Sequence, residues 1–263
     1  MRVWAFIKLC LKKYIFIIIF KEILMQGWLK EAYGKIIPFG VRQDIKGYTR
    51  RRQYKTLRLQ VSSDGYSLKP YDDLHCIFIH IPKTAGISVC QALFGCLGGG
   101  HLTARTYQVI FGVECYKKYF KFAFVRNPWD RLVSAYVFLK KGGLTEQDKA
   151  WAHEYLDKFD SFQDFIMHGL TSSDIYRILH FIPQWEYVVD KKGKVDVDFI
   201  GRFETLESDF EILGDRLGIS TNLLKINHTR KGDYRSYYND ASAEVVAKLY
   251  SRDIELFGYS FDH

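Results

Sequence analysis

None of the five cysteines (Cys10, Cys76, Cys90, Cys96 and Cys115) forms a C-x-x-C pair, which argues against a zinc ribbon or a thioredoxin-type redox centre. The odd count argues against a disulfide framework and fits a reducing compartment. No cluster of Asp, Glu and His shows metal-ligand spacing, so no metal is expected. A Walker A loop, G-x-x-x-x-G-K-[ST], is absent, and so are internal repeats and low-complexity tracts. There is also no uninterrupted apolar run of the roughly 20 residues a spanning helix requires. Tyr14 to Phe20 is apolar, but Lys8, Lys12 and Lys13 precede it and Lys21 and Glu22 follow. The run is short for the core of a signal peptide, and no small-residue cleavage site follows it. With Trp4, Phe6 and Trp28 nearby, the segment fits an interfacial amphipathic helix and equally a helix packed on the main domain.

Charge is unevenly distributed over the 263 residues. Residues 1–60 hold 14 Lys+Arg against 3 Asp+Glu, and the remainder 24 against 27, so the net +8 comes from the extension. The expected organisation is a basic N-terminal extension over 1–60 and a folded domain over 61–263. A basic extension suits anionic lipid, nucleic acid or an acidic glycan. The 48% hydrophobic content is ample for the core of one α/β domain. Residues 34–73, with the basic cluster Arg50-Arg51-Arg52, read as a linker or peripheral hairpin.

The most informative stretch is Cys76 to Gly95. Cys76 to Ile81 is an Ile-rich run of the kind found in a strand buried on both faces. Pro82 cannot donate to a sheet ladder and should end it. Thr84 and Gly86 make a tight turn, and Ser88 to Phe94 carries helical spacing closed by Gly95. Strand, small-residue turn and helix start make an anion cradle, to which Lys83 adds a point charge. Cys76 and Cys90 read as small buried hydrophobes. Gly98-Gly99-Gly100 then gives a pliable backbone before His101. Lys121 to Val125 is a second buried strand running into Arg126-Asn127-Pro128-Trp129-Asp130-Arg131-Leu132-Val133-Ser134-Ala135-Tyr136. Asn127 is an N-cap, Pro128 suits the first helical turn, and Arg126 falls at the carboxyl edge of the sheet. On their own, Arg126 reads as a structural ion-pair residue and Ser134 as an ordinary helix serine.

Taken together, the two segments resemble a known family. Pro82-Lys83-Thr84-Ala85-Gly86-Ile87-Ser88 resembles the phosphosulfate loop of sulfotransferases, which use 3'-phosphoadenosine 5'-phosphosulfate (PAPS). Arg126 to Tyr136 resembles the 3'-phosphate motif of glycan sulfotransferases, in the branch with the heparan 2-O-sulfotransferases and bacterial relatives. The resemblance implies a three-layer α/β fold of P-loop-like type with a central parallel sheet. It implies PAPS as co-substrate without a metal, cradled by residues 82–88, with Arg126 and Ser134 on the 3'-phosphate and Lys83 on the leaving group. Gly100-His101 resembles the segment with that branch's catalytic histidine. Position 87 is Ile where the family loop usually has Thr, which removes one hydroxyl.

The rest of the chain supplies candidates of lower information content. Tyr155, Phe159, Phe162, Phe165 and Ile166 form a stripe of core type. His180, Gln184 and Trp185 lie in a loop suited to lining an acceptor cleft or to simple packing. Asp196 to Gly201 is a third strand, followed by a helix over Leu206 to Leu217. Asn227 to Tyr234 reads as a solvated loop or a lid, and Arg230 in it faintly resembles a cofactor-covering arginine of cytosolic sulfotransferases. Asp240 or Ser242 should cap a last helix from Ala243 to Leu256.

The expected activity is sulfonate transfer from PAPS to a carbohydrate hydroxyl, with His101 as general base and His80 as its rival. A glycan acceptor is expected, no nucleic acid, and contact with a membrane surface through the N-terminus. That places the protein in the cytoplasm at the inner face of a membrane, or at the Golgi membrane in a eukaryote. Two other classes stay open: a P-loop kinase-like phosphotransferase, which would need Mg²⁺, and a non-catalytic glycan-binding protein at a membrane surface.

Overall fold

β1 (Cys76–Ile79) and β2 (Phe120–Val125) pair in parallel, with Phe78 opposite Phe122. β3 (Phe199–Arg202) pairs in parallel on the other side of β2, giving one three-stranded sheet in the order β1-β2-β3. β2 is therefore the central strand of the mixed α/β fold. In the computed structural model the described residues are 37–170, 174–176, 178–219, 223 and 232–262. β1 is fully buried, as its unbroken apolar run requires. It leaves the ladder at His80, two residues before the proline that has no N–H to offer.

The chain divides into Met1–Phe39 and Gly40–His263. α1 (Phe39–Thr49) and α2 (Arg51–Leu59) occupy the stretch expected to be a linker or hairpin. Long-range ion pairs order them. Arg58 is bidentate to Asp72 at 2.8 and 2.7 Å, and Arg105 binds Asp44. The linker expectation missed these partners because they lie far along the sequence.

α3 (Lys69–Asp73) precedes β1, and α4 (Gly86–Phe94) follows the loop after β1 and ends at Gly95 with φ +61°. α5 (Ala104–Lys118) starts where the Thr103 hydroxyl accepts from the Thr106 N–H. α6 (Pro128–Lys140) has its N-cap at Asn127, whose side-chain oxygen accepts from the Trp129 N–H at 3.1 Å. α7 (Glu146–Trp151) carries a reciprocal Thr145–Asp148 capping box and runs into a π-helical turn, Ala152–Leu156. α8 spans Leu206–Leu217, the range expected, and closes at Gly218. The last helix breaks at Tyr250 into α9 (Asp240–Leu249) and α10 (Ser251–Phe257), and the cap is Asn239, with Ser242 completing its box.

A second core packs α6 against the aromatic stretch C-terminal to it. Trp129, Leu132, Val133 and Tyr136 pack with Leu156, Phe162, Phe165, Ile166 and Phe181. The aromatic stripe is therefore core, with Tyr155 and Phe159 at its half-buried margin. The expected N-terminal amphipathic helix and Arg230 lie outside the described residues. Among the described residues no helix is long and apolar enough to cross a membrane.

Candidate active site

The carboxyl ends of β1 and β2 place two loops side by side, and one hydrogen bond joins them. Arg126 Nη1 donates to the Lys83 carbonyl at 3.2 Å. Lys83 and Ala85 both sit in the left-handed region, at φ +70° and +64°. For residues with a Cβ that conformation costs about 1–3 kcal/mol each and concentrates at ligand-clamping loops. Left-handed residues alternating with ordinary ones form a nest of N–H groups, here opening onto the start of α4. Thr84 is buried, and its hydroxyl closes the loop by donating to the Ile81 carbonyl at 2.9 Å. Glycine is required at 86, because a Cβ there would lie 1.9 Å from Cδ2 of His80. The loop thus fits an anion such as a phosphate, with Pro82 at its entry and Ile87 and the buried Ser88 in the first turn of α4.

Two side chains bear on this cradle, and a third candidate lies on the helix after β2. The half-buried Lys83 ammonium lies 4.0 Å from the Phe138 ring centroid. Burial pushes its pKa down to about 8, the Arg126 charge adds to that, and Asp148 opposes it. Arg126 is buried, bonded through Nε to Asp130 at 2.7 Å, and its guanidinium carbon lies 3.8 Å from the centre of the Phe203 ring. It is both an ion-pair residue and a resident of the loop junction. Ser134 lies two turns into α6 and is largely buried.

His101 reaches the same place from the glycine turn. Its Nδ1 is 3.0 Å from the His80 carbonyl oxygen. A carbonyl only accepts, so Nδ1 carries the proton and Nε2 is the basic nitrogen. Burial pulls this histidine down to about 4, against the His80 hydrogen bond, with His180, Lys46 and Lys83 adding to the shift. It is therefore neutral over the ordinary pH range. The His80 ring is 4.2 Å from that of His101, but its own Nδ1 is buried without a partner among the described residues, and burial holds its pKa well below the usual value.

The acceptor candidates divide. His180 belongs to the cluster, with its ring centre 6.4 Å from that of His101. Gln184 does not. It is fully buried, its Oε1 accepts from the Arg126 N–H at 2.9 Å and its Nε2 donates to the Arg126 carbonyl at 2.8 Å. The carboxamide pairs with the end of β2 as another strand would, so it holds Arg126 rather than a sugar. Trp185 is tied by its N–H to Asp253 at 2.8 Å and carries the Arg252 guanidinium on its ring, 3.7 Å from the centroid.

Four charged residues that shape the site went unread in the sequence. Asp130 orients Arg126, and Asp148 binds His180 at 3.3 Å. Arg131 holds the carbonyls of His180 and Ile182, and Asp253 holds Gln184 and Trp185. Only Asp130 had a local signal, an (i, i+4) acid–base spacing on a helix.

Residues 102–260 match the family model described as "Sulfotransferase family". The curated relatives include carbohydrate sulfotransferase 11 of Mus musculus, 30% identical over 169 residues covering 55% of this chain and 48% of the relative. Carbohydrate sulfotransferase 12 of Xenopus laevis is 30% identical over 173 residues, 54% of this chain and 40% of the relative. An uncharacterized protein of Archaeoglobus fulgidus is 33% identical over 127 residues, 47% of this chain and 89% of its own length. The chain thus spans about half the length of the carbohydrate sulfotransferases it matches. No solved structure matches.

Proposed function

The chain belongs to the sulfotransferase family, and on that premise we propose that it transfers a sulfonate from PAPS to a hydroxyl of a carbohydrate. The observation that carries the reading is the hydrogen bond from Arg126 Nη1 to the Lys83 carbonyl, which joins the loop after β1 to the loop after β2 at one sheet edge. The strained loop with Lys83 suits a 5'-phosphosulfate, and Arg126 with Ser134 suits a 3'-phosphate. The carbohydrate acceptor is argued from the names of the relatives.

When bound, PAPS supplies an electrophilic sulfur and a phosphate leaving group. His101 Nε2 takes the acceptor proton as the acceptor oxygen bonds to that sulfur, and the electron pair of the broken S–O bond leaves on the phosphate oxygen. Lys83 and the loop N–H groups stabilise the charge growing on that oxygen. Arg126 and Ser134 fix the nucleotide so that attack is in line.

The donor seat makes a prediction. Lys83 is charged below about pH 8, and a bound phosphate raises its pKa. Above that pH binding must take up a proton, so affinity for adenosine 3',5'-bisphosphate should fall as pH rises, approaching about tenfold per unit. Lys83→Arg keeps its charge and should flatten that limb. Calorimetric titration across this range measures both. Equal slopes in the two proteins would remove Lys83 from the phosphate. Tighter binding of ATP with Mg²⁺ than of the bisphosphate would favour the kinase-like reading instead.

A further inference from the structure

The proton that His101 accepts arrives in unfavourable company. Burial disfavours a positive charge on this ring, and so do Lys46 from α1 and Lys83 from the loop after β1. A base that must hold a proton in the transition state needs an opposing charge or an acceptor nearby. Asp130 is engaged by Arg126. Among the described residues, Asp148 is a carboxylate that reaches the cluster, and it does so through His180.

Asp148 is fixed and ionised. Burial opposes its charge, but the His180 hydrogen bond, the Leu144 N–H and Thr145 hold its carboxyl well below the usual carboxylate range. Its Oδ2 accepts from the N–H groups of Leu144 and Thr145, each at 3.2 Å. Its Oδ1 lies 3.3 Å from His180 Nε2. An ionised carboxylate only accepts, so His180 carries its proton on Nε2 and leaves Nδ1 bare. That Nδ1 is buried and has no hydrogen-bond partner among the described residues. A buried acceptor without a donor is destabilising, and sites that keep one often have a functional reason. The His180 ring stands edge-on to Phe138 at 4.9 Å, the ring that carries Lys83, and at 77° to His101.

We propose that Asp148 and His180 form a carboxylate–imidazole pair that supports the proton taken up by His101. This rests on the sulfotransferase reading of the site. In the resting protein His101 Nε2 and His180 Nδ1 are both bare nitrogens. Once His101 Nε2 takes the acceptor proton, it becomes the donor that His180 Nδ1 lacks, directly or through one water. The unmet acceptor is thus satisfied in the charged state, which is stabilisation realised at the transition state rather than before it. His180 and Asp148 are positioning residues in this account, because the acceptor proton itself goes to His101. The charged groups facing His180 are Asp148 from α7, Arg131 from α6 and Lys83 from the loop; Asp148 favours its protonation and the other two oppose it.

Asp148→Asn tests the pair, since an amide oxygen can still accept from Leu144 and Thr145 and keep α7 capped. The first readout needs no donor. Imidazole ¹⁵N NMR of the free protein should show His180 protonated at Nε2, and this preference should be lost in the variant. The second is kinetic. The variant should lose about tenfold or more in kcat, with bisphosphate affinity at neutral pH and unfolding temperature unchanged. Removing the negative charge lowers the pKa of Lys83 as well as of His180, so the alkaline limb of the rate profile should move to lower pH. Asp148→Glu should restore part of the rate. A His180 protonated at Nδ1, or a variant whose rate and pH profile match those of the wild type, overturns the pair alone. A wild type without sulfonate transfer to any glycan overturns the underlying reading and the pair with it.

Discussion

His101→Ala is expected to lower kcat by roughly 10²-fold or more and to leave affinity for adenosine 3',5'-bisphosphate nearly unchanged. The asymmetry follows from where the residue acts. Its Nδ1–H is committed to the His80 carbonyl, so Nε2 is the nitrogen free to take a proton. It holds no charge in the resting site, because burial keeps it neutral down to about pH 4, and so it adds little to binding an anionic nucleotide. Steady-state kinetics with a true acceptor, beside calorimetric binding, separates the two quantities. Near-normal turnover would move the role to His80, whose ring is in contact with that of His101. Loss of binding in proportion to rate would mean that the ring braces the anion loop instead.

Arg126→Ala should weaken binding of adenosine 3',5'-bisphosphate by about 10²-fold, and of adenosine 5'-phosphosulfate, which lacks the 3'-phosphate, by much less. Asp130 complicates the simple variant. Its carboxylate is buried against Arg126 at 2.7 Å, and removing one partner of such a pair destabilises a protein by about 3–5 kcal/mol. The double variant Arg126→Ala, Asp130→Asn removes the stranded charge and isolates the effect on the nucleotide. If both nucleotides weaken equally in the double variant, Arg126 serves only to hold Lys83 through its carbonyl.

What could be read from the sequence was what short-range physics controls. β1 and β2 announce themselves as apolar runs bounded by Pro82 and by the Asn127–Pro128 helix start; β2 and the N-cap are where those signals put them, and β1 stops two residues before its run does. The strand, turn and helix around Lys83 were equally legible, because a proline followed by small residues ends a buried strand and lets a helix begin. The helical character of α1 and α2 was not, since it depends on Arg58–Asp72 and Arg105–Asp44, the latter 61 residues apart. Gln184 misled for a related reason. A polar residue in a loop reads as a ligand contact until its partner is known, and its partner is the end of β2, 58 residues away. Asp148 carried no signal at all, because its pairing with His180 spans 32 residues. The site's titration is set by these distant pairs, so its chemistry was harder to read than its frame.

The measurement that bears most directly on the central claim is transfer itself. The protein is incubated with PAPS labelled in the sulfonate and a panel of glycans, and the products are mapped by mass spectrometry. The account predicts label on a carbohydrate hydroxyl, one adenosine 3',5'-bisphosphate released per sulfonate transferred, and loss of both in His101→Ala. Tight binding of PAPS with no label on any glycan, or label transferred at the same rate by His101→Ala, would contradict it.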